Sequence, residues 1–203
     1  MKILITGFNR FGDYIYNPTE SLLEEIDAIK DTFSQHSIYT KVLKTEYRES
    51  EREIIELLDR IKPDKVILTG VSETDAKIKI EQIAKNNCNS TIPDNIGFIP
   101  RKSKIELNGS QIYESTFQFE EIRQRFVEHS IPFSLSNDAG NYLCNFIYYK
   151  VLHHIKRNDL PIDCVFLHIP FFSDYGKNNL YSNTLPKDIV LKAIVIIMNE
   201  LFT

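Results

Sequence analysis

Basic charge is not in excess in this chain. Lys and Arg total 24 against 28 Asp and Glu, a formal net charge of −4, so no surface for tracking a phosphate backbone, and no nucleic-acid partner, is expected. Cysteine is scarce and odd in number. Cys88, Cys144 and Cys164 lie far apart with no CxxC pair, which excludes a disulfide framework and fits a reducing, cytoplasmic compartment. Long apolar runs are missing. The longest late one, Ala193 to Met198, is far short of the ~20 residues that cross a bilayer. The start, Met1-Lys2-Ile3-Leu4-Ile5-Thr6-Gly7, turns polar too early for a signal peptide, so no membrane partner is expected. Tryptophan is absent, and there are no internal repeats, low-complexity tracts or linkers. What is present is ordinary: 42% apolar and 26% charged residues in 203, a composition that reads as one globular domain over 1–203.

Strand-length apolar runs alternate with amphipathic stretches. Lys2 to Thr6 predicts a strand, and Thr19 to Lys30 a helix with Leu22, Leu23, Ile26 and Ile29 on one period, opened by Asn17-Pro18-Thr19. Ser37 to Leu43 is a strand and Glu49 to Lys62 a charged helix, stopped by Pro63-Asp64 before the strand Lys65 to Thr69. The last third repeats the pattern. Helices are expected over Phe119–His129, Leu143–Arg157 and Pro186–Leu201, with strands over Phe133–Asn137 and Asp163–His168. The residues from Asn86 to Tyr113 read as an excursion from the core. Such alternation is the signature of a parallel sheet covered by helices.

The chemistry scan removes several classes. The seven glycines are scattered and form no GxGxxG. Gly7 to Gly12 has the spacing of a phosphate loop, but Asp13-Tyr14 replaces the Lys-Ser/Thr that would hold phosphate and magnesium. No HExxH exists, and His153-His154 leave a helix about 100° apart. Gly70-Val71-Ser72-Glu73-Thr74 lacks the second glycine of a serine elbow. Neither cofactor nor metal is expected.

Cys144 remains. It follows a strand and the turn Asp138-Ala139-Gly140-Asn141, and falls in the first turn of a helix, where free N–H groups and the helix dipole favour thiolate over thiol. The plain alternative is a small buried hydrophobe. His168 ends an apolar strand at the sheet edge where ligands gather, or is bonded to loop backbone. A right-handed crossover would make its strand parallel to the one before Cys144 and bring the two residues to one edge. Cys164, at the other end of that strand, reads as core. Lys77, Lys79 and Glu81 alternate with Ile78 and Ile80; read alone, Glu81 is a solvated charge.

Five blocks in order resemble the pyroglutamyl peptidase I (pyrrolidone-carboxylate peptidase) family over nearly the whole chain. They are Gly7-Phe8-x-x-Phe11-Gly12 with Asn17-Pro18-Thr19, Glu81 to Asn86, Ile92-Pro93-Asp94-Asn95-x-Gly97, Ser136 to Asn145, and Phe166-Leu167-His168-Ile169-Pro170. The resemblance implies an α/β, single-domain, three-layer sandwich with a mostly parallel twisted sheet and helices on both faces. It implies a cytoplasmic cysteine exopeptidase without cofactor, assembled as a homo-oligomer (dimer or tetramer). In it, Cys144 is the nucleophile, His168 the general base and acid, and Glu81 the carboxylate that orients the imidazole. The substrate is a peptide blocked by N-terminal pyroglutamate, whose flat lactam the aromatics Phe8, Phe11 and Tyr142 would sandwich.

The chain departs from the family at four positions. Val71 stands where the family has the glutamine associated with the substrate pocket, and Asp75 where it has an arginine. The proline of GF-x-P-F is missing, and Tyr142 replaces a usual phenylalanine. Lys77 or Arg10 would have to supply the lost positive charge. These changes keep two other readings open, a related amidohydrolase with another substrate and a catalytically weak binding homologue.

Overall fold

The computed structural model describes residues 1–100, 103–174 and 181–200. Ten strands and five α-helices follow in the order β1 (Lys2–Phe8), α1 (Pro18–Ile29), β2 (Ser37–Leu43), α2 (Tyr47–Ile61), β3 (Lys65–Val71), β4 (Ile78–Glu81), β5 (Ile83–Lys85) and β6 (Ile112–Glu114). Then come α3 (Phe119–Glu128), β7 (Phe133–Ser136), α4 (Leu143–Arg157), β8 (Asp163–Ile169), β9 (Phe171–Phe172), β10 (Thr184–Leu185) and α5 (Lys187–Glu200). The expected final residue of the last helix, Leu201, lies outside the described residues.

Six strands form the central sheet in the order β2-β1-β3-β8-β4-β7. Side chains alternate across it, because successive residues of a strand point to opposite faces. Ile3, Ile5, Ile67, Val165 and Leu167 join α1, α3 and α5 in one core, while Leu4, Val66, Leu68, Cys164 and Phe166 join α2 and α4 in the other. The result is a three-layer α/β sandwich. Cys164 is in this core, as its position implied.

The helix starts follow local chemistry. Asn17 caps α1, its side chain accepting from Thr19 N at 3.0 Å, and Pro18 occupies the first turn, where no N–H is needed. Helix α2 begins two residues before the expected Glu49, and no side chain of its own cap bonds there. Instead Asp94, far away in sequence, accepts from Tyr47 N at 3.0 Å. It ends at Lys62 with φ 50°, the left-handed C-cap geometry.

The expected pairing of strands is corrected. The strand before Cys144, β7, lies at the sheet edge, and β4 stands between it and β8. Moreover β4 runs antiparallel to β8 and parallel to β7, so β7 opposes the histidine strand. The crossover rule holds for parallel neighbours of one sheet, and here another strand takes the neighbouring place. At the two ends of the excursion, β5 pairs antiparallel with β6, an exchange that the short runs in the sequence did not announce.

Candidate active site

His168 sits next to the end of β8, with Gly70 of β3 opposite it on one side and Lys79 of β4 on the other. Its ring packs against Phe166, two residues earlier on the same face, at 4.8 Å between centroids. Glu81 closes β4 and is completely buried. Its Oε1 lies 2.8 Å from His168 Nδ1, which leaves Nε2 as the ring nitrogen free for another partner. Cys144 lies beside it, its Sγ standing over Gly70, the residue paired with His168 between β3 and β8, and both residues line one cavity. The sulfur reaches it because position 70 has no side chain. A Cβ built on Gly70 would stand 2.7 Å from Cys144 Sγ and 2.8 Å from Phe166 Cζ, inside any normal contact distance.

Reading Glu81 as a solvated charge was therefore wrong for this fold. Ile78 and Ile80 face one core, and Glu81, on the other face, is completely buried, its backbone carbonyl bonded by Tyr148 of α4. Only Lys77, which precedes β4, is exposed as that alternation suggested. A buried carboxylate needs a partner, and His168 is the one Glu81 has; its other oxygen, Oε2, has none among the described residues. Burial disfavours the imidazolium, but the charge and hydrogen bond of Cys144 and then those of Glu81 outweigh it, and the His168 pKa is pushed up to about 9.

Cys144 is the second residue of α4, whose cap Tyr142 makes no side-chain capping bond. The first-turn amides of a helix have no intrahelical acceptor, so Cys144 sits in the turn of α4 whose N–H groups are least committed. A cavity of about 200 Å³ opens beside it, lined among others by Phe8, Phe11, Val71, Tyr142, Cys144 and His168. None of its twelve lining residues is an Asp, Glu, Lys or Arg. Larger open clefts, such as the one of about 1090 Å³ between residues 104–116 and the end of α4, contain neither Cys144 nor His168.

The pocket walls are held by bonds that local sequence does not reveal. Phe8 N donates to Thr19 Oγ1 at 2.8 Å, and a Cβ on Gly7 would meet Thr19 Cβ at 2.7 Å, so α1 seats on the strand only over a glycine. Asn9 receives Thr45 N at 2.8 Å on its side chain, and its carbonyl accepts from Asn17 Nδ2 and Thr45 Oγ1, both at 3.0 Å. Tyr142 donates to Pro93 O at 3.0 Å, and burial, with Asp94 and Cys144 nearby, pushes its pKa up to about 12. Asp94 also accepts from Ile96 N and Phe98 N at 3.1 and 2.8 Å. Asn9 and Asp94 were missed as wall-builders, although the Asp94-Asn95-x-Gly97 turn was a visible signal. Asp75 pairs with Lys79 at 3.2 Å, and neither Lys77 nor Arg10, the expected sources of the lost positive charge, is among the described residues lining the cavity. Phe171 and Phe172 are core, and Tyr181 stacks on Phe171 at 3.6 Å. Among the described residues no helix is long and apolar enough to cross a membrane.

Comparison with known proteins agrees with this fold. Residues 1–201 match the profile of the family described as Pyroglutamyl peptidase. The pyrrolidone-carboxylate peptidase of Thermococcus litoralis is 34% identical over 89% of this chain and 81% of its own length. That of Thermoanaerobacter pseudethanolicus is 33% identical over 96% and 94%. The crystal structure of a mutant pyrrolidone carboxyl peptidase from P. furiosus superposes with a TM-score of 0.90 at 30% identity, covering 99% of this chain and 98% of that one. The T. litoralis structure gives 0.89 at 32% identity, over 97% and 91%. With the profile matched almost from end to end, the chain belongs to the pyroglutamyl peptidase family.

Proposed function

We propose that the protein is a cysteine exopeptidase that hydrolyses the amide bond after an N-terminal pyroglutamyl residue, with Cys144, His168 and Glu81 as its triad. The observation that carries the reading is that Cys144 and His168, from separate elements, line one small cavity with no Asp, Glu, Lys or Arg among its described lining residues, while Glu81 bonds His168 Nδ1. A lactam ring is flat and uncharged, and fits such walls. A free N-terminal glutamate would bring an ammonium and a carboxylate into a space whose described walls offer no Asp, Glu, Lys or Arg to pair them. Val71 takes the place of a side-chain amide, so ring recognition rests on shape and on backbone groups.

The reaction runs in two halves. The Cys144 sulfur, as thiolate, bonds to the pyroglutamyl carbonyl carbon, and the oxyanion forms against the first-turn amides of α4. His168 gives its Nε2 proton to the departing nitrogen as the C–N bond breaks, leaving a thioester. Water then loses a proton to His168 and attacks the acyl carbon, and the C–S bond breaks to return the thiolate. Glu81 holds the ring in the tautomer and orientation that both halves use. Three unpaired cysteines, Cys88, Cys144 and Cys164, suit a reducing cytoplasmic setting, and assembly into a dimer or tetramer follows from the family resemblance.

A chromogenic pyroglutamyl amide tests the proposal under reducing conditions. Turnover that disappears in Cys144→Ala is the expected result. A folded parent protein without turnover, or a Cys144→Ala variant that keeps it, overturns the reading.

A further inference from the structure

Two polar side chains of α4 have no role in the chemistry above, and both are completely buried, Asn145 and Tyr148. Burying an amide or a phenol is costly unless its polar atoms are paired. Asn145 Nδ2 donates to Lys85 O and Asn87 O, both at 2.9 Å, and its Oδ1 accepts from Lys85 N at 2.9 Å. The Tyr148 hydroxyl donates to Glu81 O at 3.0 Å. The two residues are three apart on the helix and so share a face. All four bonds end on the backbone of residues 81–87, the segment that begins with the carboxylate partner of His168.

The same helix carries Cys144. One rigid element thus bears the sulfur and grips the strand end that bears the carboxylate, while His168 stands between them on β8. We propose that Asn145 and Tyr148 are positioning residues that set the spacing of Cys144, His168 and Glu81. This inference rests on the triad reading above. Tyr149, the next residue, is the natural contrast. It is equally buried and donates to Ser110 O at 2.7 Å, on a segment that carries no member of the triad.

Tyr148→Phe and Tyr149→Phe each remove one hydroxyl from one backbone carbonyl, so their losses of thermal stability match. The expected difference is catalytic. Tyr148→Phe lowers kcat on the order of ten-fold with KM nearly unchanged, since sub-ångström misplacement acts on the reacting atoms. The side chains facing His168 are Cys144 from α4, Glu81 and Lys79 from β4 and Phe166 from β8. Loosening Glu81 weakens the hold on the imidazolium and moves the alkaline limb of the pH profile to lower pH. Tyr149→Phe leaves kcat and both limbs in place. Asn145→Ala loses three bonds and falls on the Tyr148 side; should it not fold, the tyrosine pair decides alone. Identical kcat and pH profiles for Tyr148→Phe and Tyr149→Phe overturn the inference. If the parent fails to cleave the pyroglutamyl amide, the functional reading falls, and NMR titration of the His168 ring still tests positioning. A lowered pKa in Tyr148→Phe but not in Tyr149→Phe supports it, and equal values refute it.

Discussion

Gly70→Ala asks whether the sulfur's place is set by an absent side chain. The added methyl would lie 2.7 Å from Cys144 Sγ and 2.8 Å from Phe166 Cζ, whereas ordinary non-bonded contact is about 3.5–4.0 Å. The sulfur, the ring or both must recede by about 1 Å. Either movement reaches His168, which shares the cavity with Cys144 and packs on Phe166. Displacing reacting atoms by about 1 Å costs about 10²-fold in rate, or ~2.7 kcal/mol in barrier. Overpacking adds a stability loss of about 1–3 kcal/mol. Phe8 and Phe11 are untouched, so ring binding survives, and the loss falls on kcat and not on KM. The assay is steady-state cleavage of a pyroglutamyl amide, run beside a thermal melt and the rate of Cys144 alkylation. A folded variant whose kcat stays within about three-fold of the parent refutes the idea that Gly70 makes room for the nucleophile.

Glu81→Gln removes the buried charge that helps hold the proton on His168, so the imidazole pKa, now about 9, drops and the alkaline limb of activity moves to lower pH. The same group predicts a stability profile. With its pKa raised above the ordinary 6.5, charged His168 stabilises the fold fully below that pH, and the contribution vanishes as pH climbs through about 9; melting temperatures from pH 6 to 10 show this decline in the parent and a flatter curve in Glu81→Gln. Asn17→Ala removes a helix cap and the anchor of Asn9 O. It costs about 1–2 kcal/mol of stability and raises KM, both readable on one purified variant. Asp75→Ala breaks an ion pair whose carboxylate side is half exposed and shifts stability by less than about 1 kcal/mol. Val71→Gln, by adding an amide to the pocket wall, lowers KM for the pyroglutamyl substrate; an unchanged KM means that the wall does not touch the ring.

Much of the fold could be read from the chain. The runs around Ile3-Leu4-Ile5 and Val165-Phe166-Leu167 supply apolar residues to both faces, as a strand covered on both sides must, and Asn17-Pro18-Thr19 carries its own capping chemistry. The candidate nucleophile and its histidine were visible because a helix start and a strand end are local events. Glu81 was not visible from its neighbours. Alternation with Ile78 and Ile80 says that Lys79 and Glu81 share a face, but not whether water or a helix lies over it. Asp94 at the start of α2 and Asn145 against residues 85–87 are also long-range partners, which no local period encodes.

By itself the sequence determined the α/β alternation and the placing of Cys144 in a first turn and His168 at a strand end, because these follow from short-range periodicity and capping, while the family was legible only through the resemblance of five motif blocks. Tertiary structure alone decided that β4 enters between β7 and β8, that Glu81 is buried, and that the bare position 70 receives the sulfur. Those outcomes depend on which faces are left to bury once all the elements pack, and on groups brought together across 63 to 87 residues of chain, as in the bonds from Thr69 to Thr6 and from His168 to Glu81.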